Sequence, residues 1–277
     1  MKEIITSRQN PQVRLVCSLA DKKKRRQEEL FRFDGIKLFI EAMACRTQIE
    51  AVFVREPMNV SVRELVDEYV RRGMLDDNMI VRVSESVFDK ISEERAPEGI
   101  ITVAKHMKDL HMRSDSRVII GHLREGERLL IAESLRDPGN MGTIMRSCAA
   151  LGIDRLIVSS DSAEIYNPKV VRGAMGALFH LPTITVDIDD MPACISVLRS
   201  SGRRVFAAAL CEGAAKVGEI SLKNGDCFVI GNEGHGLSRA VIEACDQAAI
   251  IPMREGNESL NAAAAAAICI WETVRAR

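Results

Sequence analysis

The chain has 277 residues, 47% hydrophobic but only 4% aromatic, so aliphatic side chains and alanine must fill a core large enough for two domains. A formal net charge of −1 excludes a globally basic nucleic-acid binder and confines any such surface to a local patch. Eight cysteines without a Cys-x-x-Cys pair argue against zinc and a disulfide framework, and neither the N-terminus nor the longest apolar run, 262–271, suits a signal peptide or membrane span; a cytoplasmic protein without metal is expected.

Residues 1–37 carry ten Lys/Arg against five Asp/Glu, an excess concentrated in Lys22, Lys23, Lys24, Arg25 and Arg26. The surrounding stretch is predicted as helix, loop, helix. Its basic run is a candidate phosphate contact that Arg8 and Arg14 extend, with a solvated helix face as the alternative. Beyond Asp34 and Gly35, the spacing of Ile36, Leu38, Phe39, Ile40 and Met43 is amphipathic. A strand over 49–55, a helix over 62–72, a strand over 80–83, a helix opening at Ser84 and a strand over 99–104 follow. This alternation predicts a small α/β domain over 1–105. Residues 106–127 are polar and weakly periodic and are predicted as a linker, with Val118, Ile119 and Ile120 forming a short strand or an apolar contact.

From 128 to 277 the pattern is sharper. Strands are predicted over 129–134, 155–160, 181–186, 204–210, 227–230 and 248–253. Helices are predicted over 143–151, 168–177, 191–201, 238–245 and 259–276. Strands alternating with helices imply a mainly parallel sheet, whose ligands sit at the carboxyl ends of the strands.

Three loops fall at that edge. The first, Asn140-Met141-Gly142-Thr143-Ile144-Met145-Arg146, places Asn140 at a helix N-cap and Arg146 within two turns of it. The second, Gly231-Asn232-Glu233-Gly234-His235-Gly236, has glycines out of order for a dinucleotide loop and a carboxylate free to face a ligand; His235 reads as a surface loop residue. The third runs from Ile250 through Ile251, Ser259 and Leu260 to Asn261 and six alanines, with Ser259 a possible cap. Leu260, Ala264, Ala267, Trp271 and Val274 form one stripe at helical spacing, as in a core or a dimer seam.

Together these loops resemble, in order, the signature motifs of the SpoU (TrmH-like) branch of the SPOUT RNA methyltransferases. Asn-x-Gly-x-Ile-x-Arg, Gly-Asn-Glu-x-x-Gly, and Ile-Pro-Met followed by Ser-Leu-Asn are all present. The stretch 171–182 matches a further family segment, with Ala174 where a serine is frequent. The resemblance implies a trefoil-knotted α/β catalytic domain, a small N-terminal substrate-binding domain, and a homodimer joined through the C-terminal domain. It implies S-adenosylmethionine held by main-chain groups at Gly231, Ile251 and Leu260. It also implies transfer of the methyl group to a ribose 2′-hydroxyl of RNA, with 23S ribosomal RNA favoured over transfer RNA.

On that reading Arg146 steadies the adjacent phosphate and the developing alkoxide, since a guanidinium with a pKa above about 12 makes a poor base. Asn140 orients Arg146 or the ribose, Glu233 fixes its loop or pairs with an arginine, and Ser259 and Asn261 hydrogen-bond the ribose or loop backbone. The competing readings are an RNA-binding protein without catalysis on the same fold and, less favoured, a nicotinamide-dependent dehydrogenase, whose glycines would be misordered here.

Overall fold

A computed structural model describes residues 3–254 and 259–275. Residues 255–258 of the third loop and residue 276, the expected end of the last helix, lie outside the described residues. The chain divides into two compact units, one of residues up to 107 with 166–179, the other of 108–165 with 180–277.

In the first unit the elements run α1 (Pro11–Ser18), α2 (Lys22–Glu28), β1 (Leu30–Asp34), α3 (Ile36–Ala44), β2 (Ile49–Glu56), α4 (Val60–Arg71), β3 (Ile80–Ser84), α5 (Glu85–Ile91) and β4 (Ile100–Lys105). The strand order is β1-β4-β2-β3, with β2 and β3 parallel and the other pairs antiparallel. Side chains alternate across a strand, so β2 sends Phe53 to one face and Val52 and Val54 to the other. Phe53 joins Val13, Val16, Val87 and Phe88 of α1 and α5. Val52 and Val54 join Phe39, Met43, Val62 and Val66 of α3 and α4. Each such side chain, fully buried, contributes roughly 1.5–3 kcal/mol.

The chain later returns to this unit. The helix Pro168–Ala174 lies beside β1, and Tyr166 packs tilted against Phe31 and Phe179 edge-on against Phe33, at ring separations of 4.7 and 5.2 Å. The two-domain reading with one contiguous boundary is therefore corrected: residues 166–179 belong with the N-terminal unit, because β1, a strand the sequence pattern missed, offers its aromatic face to them.

The second unit holds β5 (His111–Arg113), β6 (Leu129–Ala132), α6 (Pro138–Leu151), β7 (Arg155–Ser159), β8 (Thr183–Val186), α8 (Met191–Ser200), β9 (Val205–Ala208), β10 (Ala215–Lys216), β11 (Cys227–Ile230), α9 (Arg239–Ala244), β12 (Gln247–Ile250) and α10 (Ala262–Arg275); α7 is the returning helix above. Its eight strands are all parallel, in the order β10-β12-β9-β11-β6-β7-β8-β5. Central strands buried on both faces explain their near-continuous apolar runs. One face carries Ile131, Ile157, Ile184 and Val229 against Ile195 and Leu198 of α8 and Val241 of α9. Alternation turns Leu130, Leu156 and Phe228 to the opposite face, where α6 and α10 pack on each other and α10 on β11.

The expected linker over 106–127 is also corrected. It contributes β5 to the edge of the sheet and a 3-10 helix, Ser116–His122, that rests on α8. Ile119 is fully buried there, with Met112, Ile120 and Leu123 packed against the same core, so the apolar contact expected around 118–120 docks the segment. No described helix is long and apolar enough to cross a membrane.

Candidate active site

Because the strands are parallel, the segments leaving β6, β9, β11 and β12 emerge at one edge of the sheet. The segment after β6 begins α6 earlier than the glycine-rich sequence implies. Asp137 is the N-cap, accepting the Asn140 N–H at 2.7 Å, and Pro138 occupies the first helical position, where proline lacks only an N–H that would be unpaired anyway. The expected cap at Asn140 is thus displaced by one turn, and its side chain is freed for other partners. At the other boundary, Asn261 rather than Ser259 serves the first turn of α10, accepting from the N–H groups of Ala263 and Ala264 at 2.9 and 3.3 Å.

These shifts allow a direct link among the three loops. Asn261 Nδ2 donates to Asn140 Oδ1 at 3.0 Å, and Asn140 Nδ2 donates to Glu233 Oε1 at 3.0 Å. One residue from each motif thereby enters a single chain of hydrogen bonds. Its geometry also orients both amides: Asn261 spends its oxygen on α10 and its nitrogen on Asn140.

The loop after β11 is built by Asn232. Its Oδ1 accepts the N–H groups of Gly234 and His235 at 2.9 and 3.1 Å, and its backbone exchanges two 3.0 Å hydrogen bonds with Gly236. Gly231 is required by close approach: a Cβ there would overlap the Gly236 carbonyl carbon and the Leu237 nitrogen.

Beside this loop lies a cavity of about 420 Å³. Ile230, Leu237, Ile250, Ile251, Met253 and Leu260 supply apolar wall, and Gly231, Glu233, His235 and Ser259 also line it. Its size falls within the roughly 300–1,000 Å³ usual for small-molecule sites. Among the described residues no lysine or arginine lines it. Apolar walls, loop backbone and one carboxylate suit a flat heteroaromatic group joined to a cationic centre, and do not suit a polyphosphate.

All three expected cofactor positions, Gly231, Ile251 and Leu260, line this cavity, as do Glu233 and Ser259. Asn140 is joined to it by its hydrogen bond to Glu233, and Asn261 in turn by its hydrogen bond to Asn140. Arg146 does not line it. It is exposed in the third turn of α6, and its guanidinium has no hydrogen-bond or ion-pair partner among the described residues. His235, read from sequence as a surface loop residue, is exposed but belongs to the cavity wall.

In the N-terminal unit, Lys22, Lys23 and Arg26 are exposed on α2, and Lys24 is half-buried 3.7 Å from Glu28. Arg8 is exposed and donates to the Ser86 carbonyl at 3.3 Å. Arg25 is a correction. It is 1% exposed, and its Nη1 donates to the carbonyls of Leu19 and Ala20 at 2.8 Å, so its charge serves the end of α1 rather than a phosphate. A contiguous basic run on a helix must turn some members inward, and the spacing alone did not say which.

Sequence reasoning missed Glu133, 3% exposed, whose carboxylate accepts from Ser238 N and Oγ at 2.8 and 2.6 Å. The available signal was a lone carboxylate directly after four apolar strand residues. It also missed Asp161, which binds Ser134 Oγ and Ser159 Oγ at 2.7 Å. Burial opposes ionisation of Asp161, but hydrogen bonds from Ser159, Ser134 and Arg136 outweigh it and hold the carboxyl below its ordinary range.

Residues 127–271 match the SpoU rRNA Methylase family, and residues 10–102 match the MRM3-like substrate binding domain. The chain is similar to the 23S rRNA (guanosine(2553)-2′-O)-methyltransferase RlmP of Bacillus subtilis, 28% identical over 98% of each chain. It is 31% identical to the 23S rRNA (guanosine-2′-O-)-methyltransferase RlmB of Coxiella burnetii, over 72% of this chain and 77% of that one. Among solved structures, the AdoMet-bound rRNA methyltransferase from Sinorhizobium meliloti superposes with a TM-score of 0.81 at 28% identity, covering 99% of this chain and 97% of that one.

Proposed function

The chain belongs to the SpoU rRNA Methylase family, and we propose that it methylates a ribose 2′-hydroxyl of 23S ribosomal RNA with S-adenosylmethionine as donor. The observation that carries this reading is the junction of Asn261, Asn140 and Glu233 beside an apolar cavity of about 420 Å³. Relatives named for 23S rRNA 2′-O-methylation support the substrate class.

The residues present fit the donor. Ile230, Ile251, Met253 and Leu260 offer apolar cover, the backbone at Gly231, Ile251 and Leu260 offers N–H and C=O groups, and Glu233 offers the negative charge a cation needs. When bound, S-adenosylmethionine supplies a methyl group already activated by a positive sulfur. The protein's share of the work is alignment and charge control. Asn140, tied on both sides, holds Glu233 and α10 in one arrangement at the cavity. Arg146, with its guanidinium unpaired, is available to the phosphate beside the target ribose and to the developing alkoxide, while water or a phosphate oxygen accepts the proton. Ser259 presents a hydroxyl at the cavity wall for the ribose or the loop backbone.

Lys22, Lys23, Lys24 and Arg26, with Arg8 and Arg14 as neighbours in sequence, are the proposed phosphate contacts of the N-terminal unit. A trefoil knot, cytoplasmic residence and a homodimer through the C-terminal unit belong to the same proposal. The dimer draws support from an apolar face of α10 and its approach that the single chain leaves open: Leu260, Ile268 and Trp271 are 40%, 37% and 53% exposed. Incubation with tritiated donor and total RNA tests the function. Transfer to ribose in 23S RNA supports it. Donor binding without transfer to any RNA establishes the non-catalytic alternative instead.

A further inference from the structure

The wall formed by residues 231–237 is not held by its own turn alone. Its two ends are fastened to two adjacent residues, Ser134 and Glu133, just beyond the carboxyl end of β6. At the near end, Asn232 Nδ2 donates to the Ser134 carbonyl at 2.7 Å. At the far end, Ser238, the N-cap of α9, donates its N–H to Glu133 Oε2 at 2.8 Å and its Oγ–H to Glu133 Oε1 at 2.6 Å.

The anchor is itself fixed. The Glu133 N–H donates to the Ile230 carbonyl at 2.9 Å, which ties the base of the anchor to β11. Ser134 sits at φ +52°, a left-handed conformation rare for a serine, and is held there from two sides. Its N–H donates to Ser159 Oγ and its Oγ to Asp161 Oδ2, both at 2.7 Å. The loop thus spans two fixed points, and neither its hinge at Asn232 nor its exit at Ser238 is free to swing.

A buried carboxylate is an expensive way to stabilise a fold, since apolar residues of similar volume commonly do as well or better. Its distinguishing property here is that both oxygens accept, so one side chain fixes two donors of one residue. From this we infer that Glu133 is a positioning residue for the cofactor wall: through Ser238, and jointly with the Asn232–Ser134 hydrogen bond, it sets the shape of the cavity and hence the affinity for the methyl donor. This inference rests on the reading of the cavity as the S-adenosylmethionine site.

The test uses the full-length protein, S-adenosylhomocysteine binding by calorimetry, steady-state methyl transfer and thermal melting. Glu133→Gln presents an amide N–H to one Ser238 donor, and Ser238→Ala leaves one Glu133 oxygen without its partner. Each should raise KM for the donor and the Kd for S-adenosylhomocysteine roughly tenfold, the scale of one hydrogen bond to a charged group. At saturating donor, kcat should stay within about twofold, because the reacting groups are untouched. Ser238→Thr, which keeps both donors, should restore KM and Kd. Unchanged KM and Kd in Ser238→Ala overturn the inference, even if melting is lowered, because that is the outcome of a purely structural role. If Glu133→Gln does not fold, Ser238→Ala and Ser238→Thr decide alone. Failure of the wild-type protein to bind S-adenosylhomocysteine is a different result, and it refutes the cofactor reading itself.

Discussion

Asn140→Ala removes both hydrogen bonds at the centre of the three-loop junction. The lost contacts are Asn261 Nδ2 to Asn140 Oδ1 and Asn140 Nδ2 to Glu233 Oε1, each 3.0 Å. A hydrogen bond contributes roughly 0.5–1.5 kcal/mol net, and more when one partner is charged, but this junction is only partly buried. Taking about 1 kcal/mol for each gives about 2 kcal/mol, or roughly thirtyfold in kcat/KM. Stability should fall by no more than the same ~2 kcal/mol, because Asp137 caps α6 with its own side chain and does not depend on Asn140 side-chain atoms. Melting should therefore fall by only a few degrees. The assay is methyl transfer to 23S RNA at subsaturating donor, with melting recorded on the same preparation. Asn140→Asp should be worse than Asn140→Ala, since it sets a second carboxylate against Glu233, and adding Glu233→Gln should recover part of the difference. A kcat/KM within about threefold of wild type in Asn140→Ala refutes the claim that the junction aligns the site.

Arg146→Ala should abolish methyl transfer while calorimetric binding of the donor survives; equal loss of both would place Arg146 in the cavity rather than at the RNA. Changing Lys22, Lys23 and Arg26 to glutamine should weaken RNA binding and reduce the slope of log affinity against log salt by about two, at roughly 0.7 to 0.9 per lost phosphate contact. Arg25→Gln should instead lower the melting temperature and leave that slope alone, because its guanidinium is committed to the carbonyls of Leu19 and Ala20. Burial pushes the thiols of Cys194, Cys245 and Cys269 up to about 12, and those of Cys148 and Cys227 upward as well. At pH 8 a thiol reagent should reach only Cys17, Cys45 and Cys211 in the folded protein, with Cys211 shielded by S-adenosylhomocysteine because it lines the cavity. These raised thiols also set a sign: unfolded thiols ionise from about pH 8.5 while the buried ones keep their protons, so stability should fall as pH rises above that value.

The parallel sheet and its three loops were legible because buried strands and glycine-rich turns leave strong patterns. The start of α6 was not, because Pro138 and Gly139 read as breakers, although proline suits a first helical position behind Asp137. β1 was missed although Phe31, Arg32, Phe33 and Asp34 alternate, because it is only five residues long and follows directly on the charged helix α2, so one helical pattern reads through both. The return of residues 166–179 to the N-terminal unit depends on aromatic contacts distant in sequence, which no local window contains. At the site, Gly231, Glu233 and Asn261 announced themselves by motif. Glu133 did not, because its meaning lies in Ser238, 105 positions away.

Quantitative mapping of ribose methylation across 23S RNA, from cells with and without the gene, reaches the core of the proposal. One 2′-O-methyl mark should vanish on deletion, return with the wild-type gene and stay absent with Arg146→Ala. An unchanged map of 23S RNA contradicts the assignment.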